Sequence, residues 1–505
     1  MGYQIKIGVI LAYATICVNL LSGIFFTPIL IRQLGQSEYG MYSLAVSIMT
    51  YLSLFQFGFG ATYLRYYVKF TSEESEQKIK DLNGMFLIIF SVMASVAVAI
   101  GLILLFNVEA FLGGNVTPDE HVIIQRLLSI LIFQLAISII GIPFSSLVTA
   151  HEKFIFQRGI RLCEVIVRVA ILLPLLLSGF KSVAVVTVTT VLMTMVLLLD
   201  IWLCITRLKV RFRFSNFDIK LFKEMGGFAF FIFLQGVMDI FNWQMDKFLV
   251  ARFWGANQVA VYAVAAHFNM MLVSFSIAIS DFFIPKVNKV SAQNQSSKIF
   301  SDLLVLTGRI QFFIIAFIMI SFVFFGRSAV FFFAGTGYEN SYYIALLLMV
   351  PLVMPLSMTL VKHILRAKAK HQVLISLSVG VSFLNFLISI PLSRMYGGIG
   401  AAIGTFVGIT ITNIIQYIYA QRVGNLDVKR WIKEIYSIIP SFIVPIIFGF
   451  IILIAVDTFN LAAFLIWGIL FSFVYIVSIW LFGMNHQEKM FFITLFQRLP
   501  ATGRK

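Results

Sequence analysis

Apolar residues run along the chain in blocks of about twenty, each closed by a short polar turn, which is the length a helix needs to cross a bilayer. The blocks fall at about 7–31, 40–64, 83–106, 122–149, 159–179, 183–206, 226–251, 258–283, 303–325, 341–361, 372–391, 398–420, 435–456 and 461–482, predicting fourteen membrane-spanning helices. No polar stretch between them is long enough to fold as a soluble domain. The expected fold is all-α and polytopic.

Composition agrees with the pattern. Of 505 residues 60% are hydrophobic and 12% charged, with a mean hydropathy of +0.96, where a soluble protein carries roughly 25% charged residues. A formal net charge of +16 suggests nucleic acid at first sight. The basic residues, however, sit in short loops and alternate between them. Arg65, Lys69, Lys78 and Lys80 share one loop, Lys153, Arg158 and Arg161 another, and Arg207, Lys209, Arg211 and Arg213 a third. The intervening loops hold little more than Arg32, Lys181, Arg252, Arg327 and Arg394. Positive charge stays on the cytoplasmic side, so both termini are expected in the cytoplasm and no nucleic-acid role follows. Cys17, Cys163 and Cys204 lie within or at the edge of spans and predict no disulfide framework. The first run lacks a small-residue cleavage site and is expected to stay as a helix.

Polar residues inside spans carry the candidate chemistry, because a charge in hydrocarbon is costly. Met225–Phe253 holds Gln235, Asp239, Asn242 and Asp246 at spacings of four, three and four, one face of a continuous helix. The next span carries His267, Ser274 and Asp281, and rise per residue puts His267 at the depth of Asp239. The two could form a proton-binding pair, or His267 could simply hydrogen-bond a helix neighbour. Glu164 and Arg168 are spaced to neutralise each other along one helix. Arg126 and Arg309 have no such local partner, and each is read either as a site residue or as reaching an interface. Pro351 and Pro355 in the tenth span are hinge candidates. No metal or cofactor site is read, and no Gly-rich phosphate loop ending in Gly-Lys occurs, which excludes an ATP-driven pump in this chain.

The chain also resembles itself. RQLGQSEYGMYSLA from Arg32 and RFWGANQVAVYAVA from Arg252 share Arg, Gly, Tyr and Ala at equal spacing; AHEKF from Ala150 faces AKAKH from Ala367, and KSVAVV from Lys181 faces IGAAIG from Ile399 at nearly the same offset. Spans one to six thus repeat as seven to twelve in the same orientation. The expected organisation is an N-lobe at 1–206, a basic cytoplasmic linker at 207–224, a C-lobe at 225–420, two further spans at 421–482 and a cytoplasmic tail at 483–505.

PILIRQLGQSEYGMYSLAVSI, LFQFGFGATYLRYY, IPFSSLVTAHEKF and MDKFLVARFWGANQVAVYAVA occur in that order. On these stretches and the span count, the chain resembles the polysaccharide flippases of the multidrug, oligosaccharidyl-lipid and polysaccharide exporter superfamily. The resemblance implies two six-helix lobes around a cavity that opens alternately to each side of a bacterial plasma membrane. It implies a cargo of undecaprenyl-pyrophosphate-linked oligosaccharide for O-antigen, capsule or exopolysaccharide assembly, with a polysaccharide polymerase and export machinery as further partners. A two-lobed chain can work alone, as a monomer, and no enzymatic activity is expected. A cationic cavity would draw on Arg65, Arg126, Arg168, Lys247 and Arg309, with Trp243 available to stack on sugar. Asp239, Asp246 and His267 suit cation coupling. They also suit a cation-coupled multidrug exporter of the same superfamily, which stays open as an alternative. An integral-membrane enzyme acting on lipid-linked glycans is a third reading, disfavoured by the short external loops.

Overall fold

The computed structural model describes residues 2–56, 58–112, 117–214, 217–292, 297–367, 372–486 and 488–490. The chain is helical from end to end. In order come α1 (Gly2–Leu34), α2 (Gln36–Leu52), α3 (Phe59–Ser72), α4 (Glu76–Phe106), α5 (Val108–Leu112), α6 (Pro118–Ala150), α7 (Phe154–Leu177), α8 (Ser182–Trp202) and α9 (Ile219–Trp243). There follow α10 (Met245–Ala292), α11 (Ser297–Ala334), α12 (Asn340–Met349), α13 (Val353–Leu356), α14 (Leu360–Ala367), α15 (Gln372–Arg422), α16 (Val428–Tyr436), α17 (Ile443–Ala455) and α18 (Leu461–Ser478).

Among the described residues nine helices are long and apolar enough to cross a membrane, or ten if the bent pair Asn340–Leu356 and Leu360–Arg366 counts as one span. The difference from fourteen has local causes. Gly255 interrupts α10 and Gly397 interrupts α15 with non-helical backbone, so each long helix is two. Helix α7 carries Arg158, Arg161, Glu164 and Arg168 along its length, and the second span is broken between α2 and α3. Large apolar side chains face outward along these helices, among them Ile454 at 85% and Ile469 at 72% exposure. Hydrocarbon takes the place of water around such a surface.

The chain forms two compact units, Met1–Ala263 with Ile390–Ala401, and Val264–Ser389 with Ala402–Lys505. In the first, α6 is the hub, packing on α2, α3, α4 and α8, while α1 lies along α7. In the second, α11 is enclosed by α12, α13, α14, α16, α17 and α18; 72% of its apolar window is buried, against 11% for α1, which therefore meets lipid.

The internal repeat has a backbone counterpart. Gly35 and Gly255, aligned in the two copies, have φ/ψ of 74/171 and 76/−174. A left-handed φ of this kind is open to glycine and strained for other residues. Just beyond, α2 approaches the second copy so closely that a Cβ on Gly40 would lie 2.0 Å from the Ala256 carbonyl oxygen.

The motif around Gly35 also has structural work. Glu38, buried, accepts from the Ser182 amide at 2.9 Å and the Ser182 hydroxyl at 2.6 Å, with Lys181 Nζ at 3.3 Å. It thereby caps the first turn of α8, where unsatisfied amides favour an anion. Glu38→Ala is expected to lower stability by about 1–2 kcal/mol, read as a lower thermal midpoint in detergent, with Glu38→Gln in between.

Candidate functional site

Between α2, α6 and α8 of the first unit lies a cavity of about 320 Å³. Its polar lining is neutral: Tyr42, Thr50 and Ser53 from α2 and the turn after it, Gln134 and Ser138 from α6, and Thr189 from α8. Gln134 accepts from the Thr190 hydroxyl at 3.0 Å, which fixes its carboxamide at the wall. Hydroxyls and an amide among apolar side chains offer both donors and acceptors without net charge, a lining suited to sugar hydroxyls. Arg168 of α7 lies within electrostatic range of Tyr42. Its guanidinium is shared with Glu164 at 3.5 Å, as the spacing of four leads one to expect, and Glu164 also meets Arg161 at 3.8 Å.

The seventh span is not the continuous helix that its polar stripe suggests. It breaks at Gln244, where α9 ends and α10 begins at Met245. Partners on α2 hold the break: Ser47 donates to Gln244 Oε1 at 2.9 Å, and the Tyr51 hydroxyl contacts Met245 Sδ at 3.1 Å. Asp246 therefore opens a new helix instead of extending the face of Gln235 and Asn242. Its buried carboxylate accepts from Tyr262 and lies within electrostatic range of Tyr51. The backbone of Asp239 belongs to α9, but its side chain, like that of Asp281, lies outside the described residues.

Lys247 follows Asp246 and is half-buried, with no carboxylate within ion-pair distance among the described residues. Trp243, the last residue of α9, is also half-buried. Arg65 on α3 and Arg126 on α6 are exposed. The structure thus groups Trp243, Asp246 and Lys247 at one helix break, and leaves Arg65 and Arg126 at the surface.

Arg309, in α11 of the second unit, is 4% exposed and engaged at every nitrogen. Nε and Nη2 pair with the two oxygens of Glu488, the Nη2 contact being 3.1 Å, and Nη2 also donates to the Gly483 carbonyl at 2.8 Å. Nη1 reaches the Glu434 carbonyl at 2.9 Å, the Glu434 carboxylate at 3.1 Å and Ser437 at 3.1 Å. Beside it, Trp431 of α16 fills the space left by Gly308. Arg309 thus clasps α16 and the segment after α18 to α11, with no donor left over for a ligand.

His267, in the second unit, packs its ring 5.1 Å from that of Phe333. At Pro351 and Pro355 the tenth span tightens through 350–352 and α13, and the helices on either side of residues 357–359 diverge by 51°. The bend falls just after the two prolines, and Asn413 donates to the Pro351 carbonyl at 3.0 Å, satisfying a group that the missing Pro355 amide leaves free.

Broken, lipid-facing helices with a neutral polar cavity and embedded charges define a polytopic membrane protein. Comparison with solved structures finds the same fold. The fold superposes on a lipid II flippase in an inward closed conformation with a TM-score of 0.73 at 16% identity, covering 93% of this chain and 98% of the other. It superposes on an inward-facing multidrug resistance transporter of the MATE family, within the multidrug, oligosaccharidyl-lipid and polysaccharide superfamily, at 0.63 and 11% identity, covering 81% and 94%. A Vibrio cholerae MATE transporter follows at 0.57 and 16%, covering 84% and 97%.

The chain belongs to the polysaccharide biosynthesis protein family, whose pattern matches residues 6–291. A Shigella flexneri protein described as an O-antigen transporter is 20% identical over 264 residues, which are 52% of this chain and 61% of that protein. The match spans less than two thirds of that relative.

Proposed function

We propose that the protein translocates an undecaprenyl-pyrophosphate-linked oligosaccharide, a repeat unit of O-antigen, capsule or exopolysaccharide, across the bacterial plasma membrane by alternating access. The observation that carries this reading is the uncharged hydroxyl- and amide-lined cavity inside a chain of the polysaccharide biosynthesis family. Pyrophosphate and sugars need a polar route through hydrocarbon, while the polyprenyl tail is at home in lipid. In this reading the cavity offers neutral partners to the sugar, Lys247 is the cation for the pyrophosphate, and Trp243, four residues before it, is available to stack on sugar. The repeat supports lobes at 1–206 and 225–420 that rock against each other, with the bend at Pro351 and Pro355 as hinge. In this reading the chain acts as a monomeric transporter, not an enzyme, keeps both termini in the cytoplasm, and hands its cargo to polymerase and export machinery.

The test is deletion of the gene followed by analysis of lipid-linked sugars. Accumulation of the undecaprenyl-linked repeat unit on the inner leaflet is expected. Drug sensitivity without accumulation would replace this reading with cation-coupled multidrug export, which the MATE-like fold and the Asp246–Tyr262 contact favour as the second possibility.

Asp246 is the coupling carboxylate in either case. Asp246→Asn keeps its shape and removes its charge, so export is expected to fall about tenfold or more at unchanged protein level. Export at the parental rate would remove Asp246 from coupling.

A further inference from the structure

One end of the second unit carries a second, chemically different pocket of about 340 Å³, lined by Arg327, Phe331, Thr336, Glu339, Tyr343 and Phe459 among others. It lies some eighteen residues along α11 from Arg309, or about 27 Å at 1.5 Å per residue, roughly the thickness of a hydrocarbon core. The alternation of basic loops assigns this end to the outside.

We propose that this pocket is a saccharide-binding subsite, which receives sugar rings of the cargo on the outer side. The inference rests on the reading of the cargo as a glycan. Three exposed rings line it, Phe331 and Phe459 edge to face at 5.6 Å together with Tyr343, and sugar C–H faces pack on such surfaces. Arg327 lies over the rings of Tyr342 and Tyr343 at 5.5 Å and donates to the Tyr343 hydroxyl at 2.7 Å. Among the described residues it has no carboxylate within ion-pair distance, and its exposed guanidinium keeps N–H groups available to a ligand acceptor.

Glu339 supplies the complementary acceptor. The Gly337 amide donates to it at 3.0 Å and holds its carboxyl below the ordinary carboxylate value. The pocket is organised in advance: Ser328 and Thr458 meet at 2.6 Å in the interior, and Asp457 accepts from the Phe459 amide at 3.0 Å, together fixing the turn that presents Phe459. A guanidinium, a carboxylate and a hydroxyl around aromatic faces are a sugar-recognition set, and the volume suits about one or two pyranose rings. A lipid tail would add no partner for either charge.

The test uses the full chain in detergent micelles and the repeat-unit oligosaccharide released by mild acid from the producing strain's surface polysaccharide. Saturation-transfer NMR and titration read its binding. Wild type is expected to bind, and Arg327→Ala and Phe459→Ala to weaken the dissociation constant about tenfold each, with Tyr343→Phe, which keeps the ring, intermediate. No binding to wild type, or equal affinity in all variants, would overturn the subsite. The outcome is separable from that of the deletion test: accumulation of the lipid-linked sugar together with failure of the released oligosaccharide to bind removes this pocket alone.

Discussion

Arg309→Ala is expected to cost the protein about 3–5 kcal/mol, the penalty of stripping a buried carboxylate of its cation. Glu488 is 0% exposed and pairs with Arg309 through both oxygens, so the variant leaves a charge that cannot reach water. Glu434, the Gly483 carbonyl and Ser437 lose their donor at the same time. Protein yield and the thermal midpoint of monodisperse material in detergent would both fall sharply. Arg309→Lys keeps the charge but cannot reproduce a planar fork and should fall between the two. Replacing Arg309 and Glu488 together by Met and Leu should recover much of the loss, because no charge is then stranded. A stable Arg309→Ala protein that fails only in transport would return this arginine to the role of holding pyrophosphate.

Lys247→Met should move stability and function in opposite directions. The ammonium is half-buried without a carboxylate partner among the described residues, so an apolar side chain of similar length is expected to raise stability by about 1 kcal/mol. Transport should collapse. A charge-assisted contact to a phosphate oxygen is worth about 1.5–3 kcal/mol, or about ten- to a hundredfold in affinity. Lys247→Arg should retain part of the activity. Full transport by Lys247→Met would remove Lys247 from cargo binding, and a loss of stability would mean that the ammonium is structurally satisfied.

These two cations are alike in sequence and unlike in structure. Both stand in apolar spans and both are candidates for a cationic cavity. The partners of Arg309 lie at 434 and 488, more than a hundred residues on, and spacing arguments reach only one or two helical turns. The Arg168–Glu164 pair was readable for the same reason, being four residues apart on one helix. Spans are legible because lipid demands long apolar helices, and the tightened turn at 350–352 is legible because proline removes amide donors, while the 51° bend itself lies just beyond, at 357–359. The break at Gln244 was not, since it depends on Ser47 and Tyr51 of another helix. The neutral cavity wall was missed because isolated Thr, Ser and Gln residues are commonplace in apolar spans. Its local signals are Gln134 and Ser138, four apart on the same face of α6, and Thr50 and Ser53, three apart at the end of α2.

The short turn after the first span shows how one sequence feature can carry more than one role. Its glycine adopts the backbone of its counterpart at Gly255, its Glu38 caps α8, and Gly40 allows the close approach to Ala256. What reads as a family motif is here a set of packing requirements at the joint between helices.

The claim on which the account turns is movement of the lipid-linked sugar itself. Purified protein in liposomes carrying an undecaprenyl-pyrophosphate glycan with a fluorescent sugar label tests it directly, with the label accessible to an external quencher only when the head group faces outward. The account predicts that wild type moves label between leaflets and that Lys247→Met liposomes match protein-free ones. Equal, protein-independent quenching in all three would contradict it.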